Sequence, residues 1–173
     1  MTARIERLAD LPAAGFVGLL AESELAGLRF LRRLADEWAS GVNRFDRPGE
    51  ALFAVRMGSG LVAVGGLNVD PYAMTPRVGR VRHVYVLSAH RRLGIGRQLV
   101  AEIVAAARGR FDTLRLSTTN PAAARLYERL GFRPSSDDVH CTHVLDLQPG
   151  TERRRDAQAR PPQDSGDRSR PLA

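Results

Sequence analysis

The chain has 173 residues, a formal net charge of +7 in which every cation counted is an arginine, and one cysteine. That length is one domain's worth, enough to bury roughly two-thirds of the unfolded surface in a single core. No run approaches the ~20 apolar residues of a membrane span, the N-terminus lacks the basic-then-apolar pattern of a signal peptide, and Cys141 has no internal partner, so a cytoplasmic protein without membrane association is expected.

Residues 4–8 alternate and predict an opening strand. After Leu11-Pro12, Phe16, Leu19 and Leu20 recur at helical spacing. A second stripe runs through Leu25, Leu28, Leu31, Leu34, Ala35 and Trp38, with Gly41 as its stop. Residues 51–56 and 61–68 read as two strands joined by Met57-Gly58-Ser59-Gly60, a hairpin with glycine where positive φ is needed. A loop rich in breakers, residues 70–76, precedes the stretch Arg80 to Leu99. This stretch begins as an alternating strand, passes through Arg91-Arg92-Leu93-Gly94-Ile95-Gly96-Arg97, and continues with Leu99, Val100, Ile103, Val104 and Ala107 as a broad apolar helix face. Residues 113–118 predict a further strand, reached through a crossover helix and so parallel to the one before. Asn120-Pro121 opens a short helix with Ala123, Leu126, Tyr127 and Leu130 on one face and Gly131 at its end. Residues 132–135 and 141–147 read as closing strands. From 149 to 173 the chain holds Pro, Gln, Ser, Asp and Arg with almost nothing apolar, so a folded domain at 1–148 and an unfolded Arg/Pro-rich tail are expected.

A strand that hands over to a helix through Arg and Gly offers the unpaired amides of a helix's first turn to a bulky anion. A third small residue for a dinucleotide fingerprint is missing, because Leu99 occupies that place, and a chain without lysine has no P-loop. What remains is Arg91-x-x-Gly94-x-Gly96, followed at the right distance by Asn120-x-x-Ala123-x-x-Leu126-Tyr127-x-x-x-Gly131-Phe132. These two motifs, in this order, resemble the GNAT N-acetyltransferase superfamily over about residues 4–147.

The resemblance implies an α/β (α+β) fold with a mixed, mostly antiparallel central sheet, flanking helices and a parallel strand pair at the coenzyme A site. It implies acetyl-CoA as co-substrate and direct attack by a primary amine through a tetrahedral intermediate. The pyrophosphate would lie on the amides of Leu93, Gly94, Ile95 and Gly96, with Arg91, Arg92 and Arg97 adding charge, and the pantetheine arm would pair with the backbone at Tyr85 and Val86. Tyr127 takes the place of the family's general acid, Val86 offers an amide to the oxyanion, and Asn120 serves as a cofactor contact, a helix cap, or both. The loop 40–50 would wall the acceptor.

Where some members carry a strand glutamate this chain has Arg80, so the base stays open among His83, Glu37, Asp70 and an ordered-water relay. A coenzyme A-binding module without catalysis is the alternative. The acceptor is a small-molecule or peptide amine, a homodimer is left open, and nucleic acid is not expected, since stacking aromatics and a reader motif are missing. His140, Cys141 and His143 do not make a metal site: on a strand the first faces away from the other two, and no fourth ligand is evident.

Overall fold

The computed structural model describes residues 2–148; the tail expected from 149 onward lies outside them. Seven strands form one sheet in the order β1-β2-β3-β4-β5-β7-β6, with β1 at Ala3–Leu8, β2 at Ala51–Met57, β3 at Gly60–Val69, β4 at Val78–Val86, β5 at Thr113–Leu116, β6 at Arg133–Asp138 and β7 at Cys141–Asp146. Every neighbouring pair is antiparallel except β4 and β5. Four α-helices flank the sheet: α1 (Ala13–Leu25), α2 (Phe30–Ser40), α3 (Ile95–Ala107) and α4 (Pro121–Arg129). The architecture is the one expected.

Both faces of the sheet are covered, which is why β2 is a continuous apolar run rather than an alternating one. Phe53 and Val55 point into a core completed by Leu99, Ile103 and Leu114, on the α3 side. Leu52 and Ala54 point the other way, into a core built with Phe16, Leu19, Leu31 and Leu34 of α1 and α2. Each fully buried leucine contributes roughly 1.5–3 kcal/mol through burial.

Two local expectations need correcting. The second helical stripe was read from Leu25, but Leu25 ends α1 with 90% of its surface exposed, and Leu28 lies outside both helices. Gly27, at φ 75°, reverses the chain between them, so the helical spacing of Leu25 and Leu28 with Leu31 continues across a break. In the β2–β3 turn only Gly58 has positive φ, at 61°; Gly60 already belongs to β3.

Candidate active site at the parting of two strands

The site is organised by what β4 does along its length. It pairs with β5 only through Val78↔Thr113, Gly79↔Leu114 and Arg80↔Arg115, and then the two strands part. On its other side β4 stays bound to β3, but with Val64 opposite Tyr85 and Gly66 opposite Arg82, so one extra residue of β4 is accommodated opposite Gly65. That is a β-bulge, and His83 takes it up with φ 57°.

The bulge breaks the alternation read from the sequence. Val81 faces the core under α3, whereas Tyr85, an even number of residues on, faces the core under α1 and α2. Arg82 and His83, neighbours in sequence, consequently both meet α2: Arg82 lies 3.8 Å from Glu37, and the His83 ring packs 6.5 Å from Phe30 and 6.1 Å from Phe45. Phe45 comes from the loop expected to wall the acceptor. A Cβ on Gly66 would lie 2.4 Å from the Phe45 ring, so only glycine lets that ring lie against β3. Beyond the bulge the Leu87 amide donates to the Val62 carbonyl at 2.9 Å. By strand alternation, the Val86 amide is then directed away from β3, to the side where β5 has departed.

A single 3-10 turn, Ser88–His90, leads into the glycine loop. Gly94 caps α3 in the left-handed region at φ 81°, and Arg92 stands at φ 63°. The first helical bond of this turn runs from the Gln98 amide to the Gly94 carbonyl, so the amides of Ile95, Gly96 and Arg97 have no partner within the helix. A Cβ at Gly96 would meet Leu126 at 3.5 Å and Val86 at 3.6 Å, which is ordinary contact. The three arginines separate here. Arg92 and Arg97 are exposed with no hydrogen bond or ion pair among the described residues. Arg91 is exposed too but folds back along the strand: its Nε donates to the Val86 carbonyl at 2.9 Å and its guanidinium lies 5.3 Å over the Tyr85 ring.

Asn120 does cap α4, its Oδ1 accepting from the amides of Ala122 at 2.9 Å and Ala123 at 3.4 Å. One face of that helix turns Tyr127 inward against Phe132, edge-on at 5.6 Å, and toward His143 at 6.4 Å. Only 7% of Tyr127 is exposed, and burial pushes its phenol up to about 12. The hydroxyl makes no hydrogen bond among the described residues.

On the face of α1 and α2, the candidate carboxylates are both engaged. Asp70 is buried, 3.5 Å from Arg80, and accepts from the Tyr72 amide at 2.9 Å. Glu37 approaches Arg82 and accepts from Asn43 at 3.3 Å, and Asn43 exchanges amide hydrogen bonds with Asn68 at 3.1 and 2.9 Å. Arg80 also donates to the His140 carbonyl at 2.7 Å and lies 5.2 Å over Tyr72, which stacks on the His140 ring at 4.0 Å. Burial, with added repulsion from Arg82 and Arg33, holds His83 down to about 3, and among the described residues neither ring nitrogen has a hydrogen-bond partner. His140 is exposed while Cys141 and His143 are buried, and among the described residues no three His, Cys, Asp or Glu side chains converge on a metal position.

The acetyltransferase (GNAT) family model matches residues 10–132. This chain belongs to the GNAT family. A protein assigned as an acetyltransferase from Exiguobacterium sp. 255-15 superposes with a TM-score of 0.75 at 32% identity, over 84% of this chain and 94% of that one. An N-acetyltransferase from Staphylococcus aureus Mu50 does so at 0.68 and 15% identity, over 86% and 100%. A protein from Salmonella typhimurium, assigned as an acetyltransferase and solved with its cofactor acetyl-CoA, does so at 0.62 and 17%, over 86% and 96%. Acetyl-CoA is the family's co-substrate.

One residue beside this candidate site was invisible in the sequence. Glu22 on α1 accepts from the Tyr85 hydroxyl at 2.9 Å, the Ser88 amide at 2.8 Å and the Ser88 hydroxyl at 2.9 Å, and lies 3.8 Å from Arg91. Burial works to raise its pKa, but the Ser88 and Tyr85 donors and Arg91 outweigh it, so the carboxylate sits below its usual range. Glu22 thereby ties α1 to the segment between β4 and the glycine loop. Nothing local marks it, because its partners lie more than 60 residues away. Among the described residues no helix is long and apolar enough to cross a membrane.

Proposed function

We propose that this protein transfers the acetyl group of acetyl-CoA to a primary amine by direct attack. The observation that carries the reading is the parting of β4 from β5 after Arg80↔Arg115, with an amide-bearing helix start just beyond the free edge of β4. The amides from Leu93 to Gly96, together with Arg92 and Arg97, would receive the pyrophosphate. The Tyr85–Val86 backbone edge would receive the pantetheine arm, and the remaining amide functions of Asn120 would face the cofactor. Arg91, held by Val86, Tyr85 and Glu22, sets the shape of the loop rather than reaching out to phosphate.

The Val86 amide is suited to the oxyanion of the tetrahedral intermediate, and the Tyr127 phenol to protonating the departing thiolate. None of the three candidate bases fits the task of taking a proton from an alkylammonium, whose pKa lies near 10. His83 at about 3 is far too weak a base, Asp70 is paired with Arg80, and Glu37 lies 3.8 Å from the Arg82 guanidinium and accepts from Asn43. An ordered-water relay therefore remains, by which the ammonium proton passes out to bulk solvent and its buffer before the neutral amine attacks.

Gly96→Ala separates the cradle from the fold. The added methyl meets only ordinary contacts in the protein, but it stands where a phosphate oxygen must approach the amides. Melting should hold while acetyl-CoA affinity, measured by calorimetry, falls about tenfold or more, the cost of one lost charge-assisted hydrogen bond. Unchanged affinity would move the pyrophosphate elsewhere. Gly94 is a less clean probe, since its φ of 81° makes any side chain cost about 1 kcal/mol of stability by itself.

The activity is tested by incubating the protein with acetyl-CoA and a panel of amines and following thiol release and acetylated product. Binding of acetyl-CoA with no release above buffer for any amine would favour a coenzyme A-binding module without catalysis.

A further inference from the structure

The acceptor face of β4 is built from cations. Arg80 and Arg82 project there from the strand, and the exposed Arg33 approaches from α2 closely enough to oppose the protonation of both Arg82 and His83. Arg80 is satisfied, by Asp70 and by the His140 carbonyl. Arg82 is not. Its side chain is only 21% exposed, yet among the described residues it donates no hydrogen bond, and its nearest carboxylate oxygen, on Glu37, is 3.8 Å away. Glu37 in turn already accepts from Asn43.

A guanidinium carries five donors, and leaving them desolvated without acceptors is costly. Planar bidentate pairing with a carboxylate or phosphate is the contact that this group is shaped for. Arg82 faces α2 by ordinary alternation from Val81, and the bulge that follows it at His83 brings that ring to the same face of the strand whose Val86 amide would hold the reacting carbonyl. Four residues of strand separate the two, about 13 Å at most, and the guanidinium rises from the sheet toward Glu37 of α2. An amine at the thioester and an anion at Arg82 therefore belong to one small molecule. Asp70 does not supply a seat for a purely cationic acceptor, because it pairs with Arg80, and any cation at Glu37 would sit against the Arg82 guanidinium 3.8 Å away.

Resting on the N-acetyltransferase reading above, we infer that the acceptor is an amine bearing an anionic group, carboxylate or phosphate, a few bonds from its nitrogen, and that Arg82 is the residue that binds this group.

The test compares acetyl transfer to glycine, β-alanine and γ-aminobutyrate with transfer to their amides and to 2-aminoethyl phosphate. At least one acid or the phosphate should exceed its uncharged counterpart in kcat/KM by about tenfold to a hundredfold, the range for a hydrogen bond to a charged partner. Preference within the anions tells carboxylate from phosphate. Arg82→Gln should raise KM for the anionic acceptor by that factor and leave the amides and the calorimetric affinity for acetyl-CoA within about twofold; Arg82→Lys should recover part of the loss. Amides turned over as well as the acids overturn the inference without need of a variant, as does a preference that survives in a folded Arg82→Gln protein. Failure of the N-acetyltransferase reading looks different, with no thiol release for any amine, and it removes the inference with it.

Discussion

Replacing Tyr127 by phenylalanine should lower turnover by about 10²- to 10⁴-fold, the range for a positioned general acid, with acetyl-CoA affinity little altered. The substitution keeps the ring that packs on Phe132 and deletes only an oxygen. That oxygen makes no hydrogen bond to the described residues, so melting should hold. The fall in turnover distinguishes the catalytic role from a structural one, in which the rate would be unchanged. Burial also pushes the phenol up to about 12, so the acid form persists across the working range. An alkaline limb in kcat below about pH 11 must therefore belong to another group. A Tyr127→Phe protein that folds, binds acetyl-CoA and turns over its acceptor at the original rate would falsify the assignment.

Acid should destabilise the protein through His83, by roughly 4–5 kcal/mol between pH 6.5 and 3. The native ring is held down to about 3, first by burial and then by repulsion from Arg82, whereas in the unfolded chain it titrates near 6.5. Below 6.5 the unfolded ensemble binds a proton that the native state refuses. The contribution is complete above 6.5 and disappears as pH falls toward 3, at about 1.4 kcal/mol per pH unit. Urea unfolding from pH 7.5 down to 4.5 should show this slope, and His83→Asn, which tolerates the left-handed backbone of the bulge, should be shallower by one proton. The absolute stability of the variant is immaterial, because the comparison is between slopes. Parallel slopes for the two proteins would mean that the ring is protonated, or reached by water, in the native state.

How far the sequence reached follows from the distance over which each feature is decided. The strand and helix pattern, the parallel placement of β5 and the Asn120 cap were legible because each is a matter of near neighbours: alternation, helical spacing, a crossover, a proline after an asparagine. The glycine loop and Tyr127 were legible for the same reason, each being carried by a motif within one short stretch. The Leu25–Leu28 reading failed because helical spacing persisted by coincidence across a turn whose decisive residue was Gly27.

The sequence by itself determined a mixed α/β fold, a glycine loop that opens a helix, and a tyrosine on the inward face of the helix that follows Asn120. Only the tertiary structure decided which way each β4 side chain faces, because one residue inserted opposite Gly65 reverses the faces and no local pattern announces a bulge. It decided as well that Arg91 donates to the Val86 carbonyl, and that Glu22 is the anchor for that segment. It also showed that Asp70 pairs with Arg80, whereas Arg82 and Glu37 lie 3.8 Å apart with no hydrogen bond between them. Such pairings depend on which side chains the sheet and helices bring within about 4 Å, and for groups tens of residues apart that is set by packing alone.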